Sequence, residues 1–172
     1  MIRHTSGYIC APLSAARCVA LDLPQMVANN KDPHRTAYTV SVDAVGEGVS
    51  TGISAHDRAA TARALADPRA VPADFRIPGH VLPLRAREGG VRERQGHTEA
   101  AVDLCRLAGK EHAALISELV TDGEEVEGLP ELKGGSMMRR DECLEFGRRW
   151  GIRVCTIEDL RRYIEAEVEV RA

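Results

Sequence analysis

The sequence predicts a single α+β domain over residues 1–172, a mixed β-sheet covered by helices with an α/β-like alternation. Two observations predict it. Short apolar runs alternate along the chain with helix-period segments, and glycines and prolines mark the joints between them. At 172 residues the chain suits one domain, which can bury roughly 70% of its unfolded surface without a disulfide or a metal.

The elements follow in order. Tyr8 to Leu13 reads as a strand closed by Pro12. Thr36 to Asp43 is β-rich, with Tyr38, Val40 and Val42 on one face and the polar Thr39, Ser41 and Asp43 on the other. A polar strand face is usually solvated, but in a small enzyme it can also wall a site. Ser54 is a helix N-cap, with Asp57 in the first turn where the helix dipole favours an acid, and Pro68 and Pro72 end that helix. Val81 to Arg87 is a short strand, and Gly89-Gly90 turns the chain toward a return strand at Val91 to Arg94. A second helix runs from Thr98 to Leu107, with Ala101, Leu104, Cys105 and Ala108 on its apolar face. Ala113 to Val120 follows as a buried strand, then an acidic, glycine-rich loop over 121–135. Asp141 to Trp150 is a third helix and Ile152 to Ile157 a strand. Thr156 and Asp159 cap the last helix.

Composition excludes several classes. The 23 Lys and Arg against 26 Asp and Glu give a net charge of −3, which argues against nucleic-acid binding through bulk charge. No apolar run approaches the ~20 residues of a membrane span, and the polar first residues do not make a signal peptide. Five cysteines, at 10, 18, 105, 143 and 155, show no CxxC pair. The expectation is a cytoplasmic protein with reduced thiols. Aromatic residues make up 3%, so the core must rest on Val, Leu, Ile and Ala.

Several groups of residues could carry chemistry. Arg94, Gln95, Gly96, His97 and Thr98 lie at a helix start, where unpaired N–H groups and the positive end of the dipole attract an anion. Gly96 permits close backbone approach, Thr98 offers a hydroxyl, Arg94 a fork for phosphate, and His97 a possible metal ligand. The same residues also suit a plain helix start with a solvated arginine and histidine. Asp43, Thr51 and Arg58 form a second group, in which Arg58 could pair with Asp57 or Asp43. His80 follows a Pro-Gly loop, and most such histidines are solvated. Glu118 sits in an apolar run. If buried it must be paired or raised in pKa, which would suit a general acid or base. Cys10 reads as core rather than nucleophile.

Taken in order, these motifs resemble those of the 3,4-dihydroxy-2-butanone 4-phosphate synthases of riboflavin biosynthesis. They are His4 to Cys10, Thr36 to Ala44, Thr51 to Ala59, Pro78 to Leu84 and Arg94 to Leu104. The resemblance implies that family's fold and an enzyme that converts D-ribulose 5-phosphate to 3,4-dihydroxy-2-butanone 4-phosphate and formate. A divalent ion, Mg2+ or Mn2+, would assist, in a homodimer whose subunits share the active site. By motif position, Arg94 to Thr98 would hold the phosphate, and His97 would also ligate the metal. Glu118 would be the essential acid/base glutamate, His80 the essential histidine given across the interface, and Thr51 and Asp43 would line the sugar site. Ser117 stands where the family often has cysteine. The family's acidic loop, of the type Asp-Asp-Glu-x-Arg-Glu-Asn-Glu-Gly-Asp, has no match in this chain. The expectation is therefore little turnover from these 172 residues alone. The alternatives are a non-catalytic sugar-phosphate-binding or dimer-partner relative, or an unrelated metal hydrolase using His80, His97 and Glu118.

Overall fold

Strand β3, Phe75–Arg85, organises the larger part of the structure. In the computed structural model it lies between β1, Cys10–Leu13, to which it runs parallel, and β2, Val42–Ala44, to which it runs antiparallel. The description covers the backbone of residues 1–130 and 132–171 and the side chains of residues 1–130 and 132–166. The chain divides into two compact units. The larger is Ile9–Ile116 with the segment from Ile157, and the smaller is Met1–Tyr8 with Ser117–Thr156.

In the larger unit the sheet is mixed, as the sequence predicts. β3 begins six residues before the expected Val81, because Phe75 and Arg76 pair with Ala44 and Asp43. The register with β2 then breaks between Val42 and Asp43, so that residues 77–80 bulge out of the ladder. Residues before β2 pair only at isolated bridges, Gln25 with Thr39 and Tyr38 with Leu84, so the expected strand from Thr36 is mostly irregular. Its polar face is nonetheless buried: Thr39 is 0% exposed and Asp43 1%. The Thr39 hydroxyl donates to the Pro83 carbonyl at 3.0 Å. On the other side of β1, Ala113 and Ile116 make single antiparallel bridges to Leu13 and Cys10. The expected buried strand over 113–120 is thus reduced, over residues 113–116, to an edge of half-buried residues.

Helix α1, Ala15–Ala20, is capped by Ser14, whose hydroxyl accepts the Arg17 N–H; the sequence reading passed over it. Helix α2, Ala55–Ala66, starts as predicted, with the Ser54 hydroxyl accepting the Asp57 N–H at 3.0 Å. Thr61 ties α2 to the sheet by donating to the Asp57 carbonyl and accepting the Ala44 N–H. The main core gathers Ala11, Leu13, Cys18, Leu21, Leu23, Val42, Leu65, Phe75 and Val81, aliphatic except for the Phe75 ring and the Cys18 thiol. Burial pushes the Cys18 thiol up from its ordinary pKa, against the neighbouring Arg85. Cys10 is buried, in keeping with a core role.

Val91 to Arg94 is not a strand. Gly90–Arg92 is a turn of 3-10 helix, because Gly90 takes φ +59° and the Asp103 carboxylate accepts the Val91 N–H at 2.8 Å. A Cβ on Gly90 would lie 2.2 Å from that carboxylate. Helix α3, His97–Leu107, follows, and α5, Ile157–Arg171, buries Leu160 against Val91 and Ala100.

The smaller unit holds two short antiparallel ladders, one inside the expected acidic loop of 121–135 and one at its two ends. β4, Val120–Thr121, pairs with β7, Ser136–Met137, and β5, Glu124–Glu125, pairs with β6, Leu132–Lys133. Helix α4, Arg140–Trp150, ends at Gly151 with φ +63°. The expected strand over 152–157 is absent, and Ile152 and Val154 are exposed. Among the described residues, no helix is long and apolar enough to cross a membrane.

Candidate functional site

The bulge at residues 77–80 places His80 over β2. The Asp43 carboxylate accepts the His80 backbone N–H at 2.9 Å through Oδ1 and meets the ring Nδ1 at 2.7 Å through Oδ2. The Asp43 side chain is 1% exposed and that of His80 is 41%, so the imidazole is the outer member of the pair. Arg76 brings a guanidinium to 3.7 Å from Oδ2, which balances the buried charge. Two glycines close around the carboxylate. Gly79 donates its N–H to Ser41, and a Cβ on it would lie 2.0 Å from the Val42 carbonyl carbon. Gly52, at φ +94°, faces Asp43 so closely that a Cβ would sit 2.0 Å from Oδ2. Asp43, expected to line the sugar site, is therefore turned inward to a histidine.

Thr51 is exposed beside that contact, at the start of the turn that leads into α2. Asp57 anchors the turn. Its Oδ2 accepts the Ser50 hydroxyl at 2.8 Å and the Gly52 N–H at 3.0 Å. The Ser50 hydroxyl, helped by the Gly52 and Ser54 groups, holds the Asp57 carboxyl below its ordinary pKa despite its burial. Asp57 thus does more than complement a helix dipole, as the sequence reading had it: it fixes the backbone next to Thr51.

At the start of α3, Arg94 is committed to the protein. Its guanidinium pairs with Glu99, donates to the His34 carbonyl at 3.1 Å, and reaches the Thr36 hydroxyl at 3.3 Å. Glu99, 1% exposed, also accepts the Arg87 N–H at 3.0 Å. A Cβ on Gly96 would lie 2.0 Å from the Arg94 guanidinium, so this glycine makes room for an ion pair. The expected arginine fork free for phosphate is accordingly occupied. What remains open is the helix end itself, where no side chain caps α3. The first-turn N–H groups of His97, Thr98 and Glu99 have no intrahelical partner. Gln95 and His97 are exposed and Thr98 is buried. The sequence reading missed Glu99 as a partner of Arg94; the signal was an acid in the first helical turn, two residues after His97.

Glu118 belongs to the smaller unit, where its carbonyl accepts the Ser6 N–H at 2.9 Å. Its side chain is exposed rather than buried, because the run around it is not the interior of a strand. Burial therefore does not tune this carboxylate. Ser117, next to it, bonds Thr5 and the Tyr8 carbonyl. A cavity of about 850 Å3 also lies in the smaller unit, beside His4, Phe146 and Trp150, and is lined by none of the candidate site residues. Among the described residues, no group of three or more His, Cys, Asp or Glu side chains is placed to hold a metal ion.

Comparison with known proteins gives this geometry a context. The family model of 3,4-dihydroxy-2-butanone 4-phosphate synthase matches residues 1–163. The chain is 62% identical over 165 residues to the 3,4-dihydroxy-2-butanone 4-phosphate synthase of Pyricularia oryzae, covering 96% of this chain and 71% of that protein. It is 50% identical over 169 residues to the enzyme of that name from Schizosaccharomyces pombe, covering 98% and 78%. A crystal structure of a 3,4-dihydroxy-2-butanone 4-phosphate synthase in complex with two magnesium ions superposes with a TM-score of 0.95 at 61% identity, over 96% of this chain and 77% of that one. The chain, with its buried aspartate under an exposed histidine and its open helix end, belongs to the 3,4-dihydroxy-2-butanone 4-phosphate synthase family.

Proposed function

We propose that this protein is a lyase of riboflavin biosynthesis that converts D-ribulose 5-phosphate to 3,4-dihydroxy-2-butanone 4-phosphate and formate. It would work in the cytoplasm as a homodimer whose subunits complete each other's active sites. The observation that carries the reading is the 62% identity, over 96% of the chain, to a protein of that name. His80, Glu118 and the run from Arg94 to Thr98 stand at the motif positions where the family resemblance puts catalysis and substrate binding.

The reaction needs no second substrate. The five-carbon sugar phosphate loses a water, rearranges its carbon skeleton, takes a water back and releases one carbon as formate. The first demand is a base beside a carbonyl. His80 meets it with an imidazole whose Nδ1 faces Asp43 and whose Nε2 is the remaining ring nitrogen, on a 41% exposed side chain. Glu118, solvent-exposed, supplies a second proton carrier. The phosphate, remote from the reacting carbons, would sit on the N–H groups at the start of α3, near the Thr98 and Gln95 side chains. The buried Arg94–Glu99 pair would shape that end without touching the ligand. Thr51 would meet a sugar hydroxyl.

We take the ion to be Mg2+, or Mn2+ in its place, from the relative that holds two magnesium ions. His97 would be its imidazole ligand. A single imidazole does not bind a hard, oxygen-seeking cation, and the described residues add no cluster of carboxylates to it. The residues described here thus do not by themselves fit the ion, and none of the proton movements above runs through it.

Formate release from ribulose 5-phosphate tests the reading. The expected result is little formate from these 172 residues alone, and, with a segment carrying the family's acidic loop supplied, turnover with Mg2+ that is lost on adding EDTA and recovered when Mg2+ is returned in excess. Glu118→Gln is expected to lower kcat by about 10^2- to 10^4-fold, the usual span for a general acid or base. Sugar-phosphate binding with no formate from any metal-supplemented form would instead indicate a non-catalytic relative.

A further inference from the structure

We propose that Ser117 is a positioning residue for Glu118: its hydroxyl fastens the main chain beside that carboxylate to residues 5–8, and so sets where Glu118 meets the sugar. The inference rests on the reading of Glu118 as a proton carrier and adds to it the contact that places it. The Glu118 side chain is exposed, and among the described residues no donor bonds its carboxylate. Neither an ion pair nor a side-chain hydrogen bond aims it. Its main chain has to.

That main chain is anchored on both sides of the residue. Before it, Ser117 Oγ lies 3.0 Å from the Tyr8 carbonyl oxygen and 2.8 Å from the Thr5 hydroxyl. A carbonyl only accepts, so Ser117 gives its proton to Tyr8 and takes one from Thr5. Thr5 Oγ1 accepts the Gly7 N–H at 3.1 Å, which ties that hydroxyl to the same segment. At Glu118 itself the carbonyl accepts the Ser6 N–H at 2.9 Å. After it, the Leu119 carbonyl accepts the Met138 N–H at 3.0 Å, and Val120 opens the β4 ladder with Met137. Misplacing a reacting group by about 1 Å can cost about 10^2-fold in rate, so a carboxylate with no partner of its own depends on such anchors. The Ser117 contact is made by a side chain, and it can be removed without touching the backbone.

Ser117→Ala deletes that hydroxyl alone. The Ser6 N–H, bonded to the Glu118 carbonyl, is then expected to exchange with solvent about three- to tenfold faster, the effect of one neutral hydrogen bond lost beside it. With the acidic-loop segment supplied and Mg2+ present, kcat should fall by about 5- to 50-fold, with KM within about twofold. The circular dichroism spectrum should stay that of the parent. A positioning residue acts through the group it positions, so in a Glu118→Gln background Ser117→Ala should change kcat by less than about twofold. A loss that repeats in full in that background would show a general structural role and overturn the inference. So would a parent-like rate for Ser117→Ala beside a nearly inactive Glu118→Gln, or a Ser6 N–H that exchanges as in the parent. Failure of the reading beneath it looks different: Glu118→Gln itself would turn over at the parent rate, and the inference would fall with it.

Discussion

Gly52 shows how much one missing Cβ decides. Its φ of +94° is one that other residues adopt at a cost, and its Cα lies against the carboxylate that holds His80. Gly52→Ala is expected to destabilise the fold by about 2 kcal/mol or more, from backbone strain and displacement of Asp43. A urea midpoint measures it, and a parent-like midpoint would mean that the turn relaxes freely. Asp57 makes a different demand. The Ser50 hydroxyl and the Gly52 N–H keep its pKa below the ordinary value. Its stabilising share is therefore complete above the unfolded value of about 3.9 and fades as pH falls below it. Asp57→Asn should flatten that part of the acid-unfolding curve relative to the parent. At this scale the sequence was legible in part. It identified Ser54 as a cap, but it could not show that Asp43 faces His80 across 37 positions, because contacts of that range leave no periodic signal.

Among the elements, α2 is rich in alanine and is also held at both ends by side chains. At its end, Arg17 reaches over from α1 and donates to the carbonyls of Ala64, Leu65 and Asp67, adding to the Asp67 and Ala70 N–H groups that the first and last of these also accept. Arg17→Ala should cost about 1–3 kcal/mol, since the charge-assisted hydrogen bonds that tie α1 to the end of α2 are lost together. Thermal unfolding of the variant checks it, and a loss within a few tenths would show that water replaces the guanidinium. Helix α5 carries the acid-sensitive counterpart. Arg161 and Arg162 hold the Glu158 carboxyl down to about 2, so its contribution is present above the ordinary carboxylate range and lost as pH falls from there toward 2. Glu158→Gln should remove that pH dependence together with the same contribution at neutral pH, which is small because the pairs are exposed; acid and neutral urea midpoints check it. The helices α2, α3 and α4 were legible from caps, glycines and period. The strands at 91–94 and 152–157 were not there to be found. Asp103 turns the first into a 3-10 helix, and the second, although rich in β-branched residues, forms no ladder among the described residues.

At the scale of the whole molecule, the proposal of a shared site has a direct consequence. Mixing and re-pairing of His80→Asn and Glu118→Gln subunits, each nearly inactive alone, should restore about a quarter of the parent rate. Half the dimers would be mixed, each with one intact site and one doubly defective one. No recovery on re-pairing would mean that each subunit carries both groups in its own site. The same preparation, assayed before and after metal removal, separates loss of the ion from loss of assembly.

The order of motifs, from His4 to Leu104, was enough to assign the family, because five short patterns in register are far more specific than any one of them. The mixed sheet and its aliphatic core were likewise readable from the short apolar runs, of which Cys10–Leu13 is buried along its whole length. Only the tertiary structure decided that Arg94 answers to Glu99, that Glu118 stands in solvent, and that Asp43 serves His80. The reason is physical. A polar side chain in a strand carries no mark of its partner, and its charge is satisfied by whichever donor the fold brings within about 3 Å.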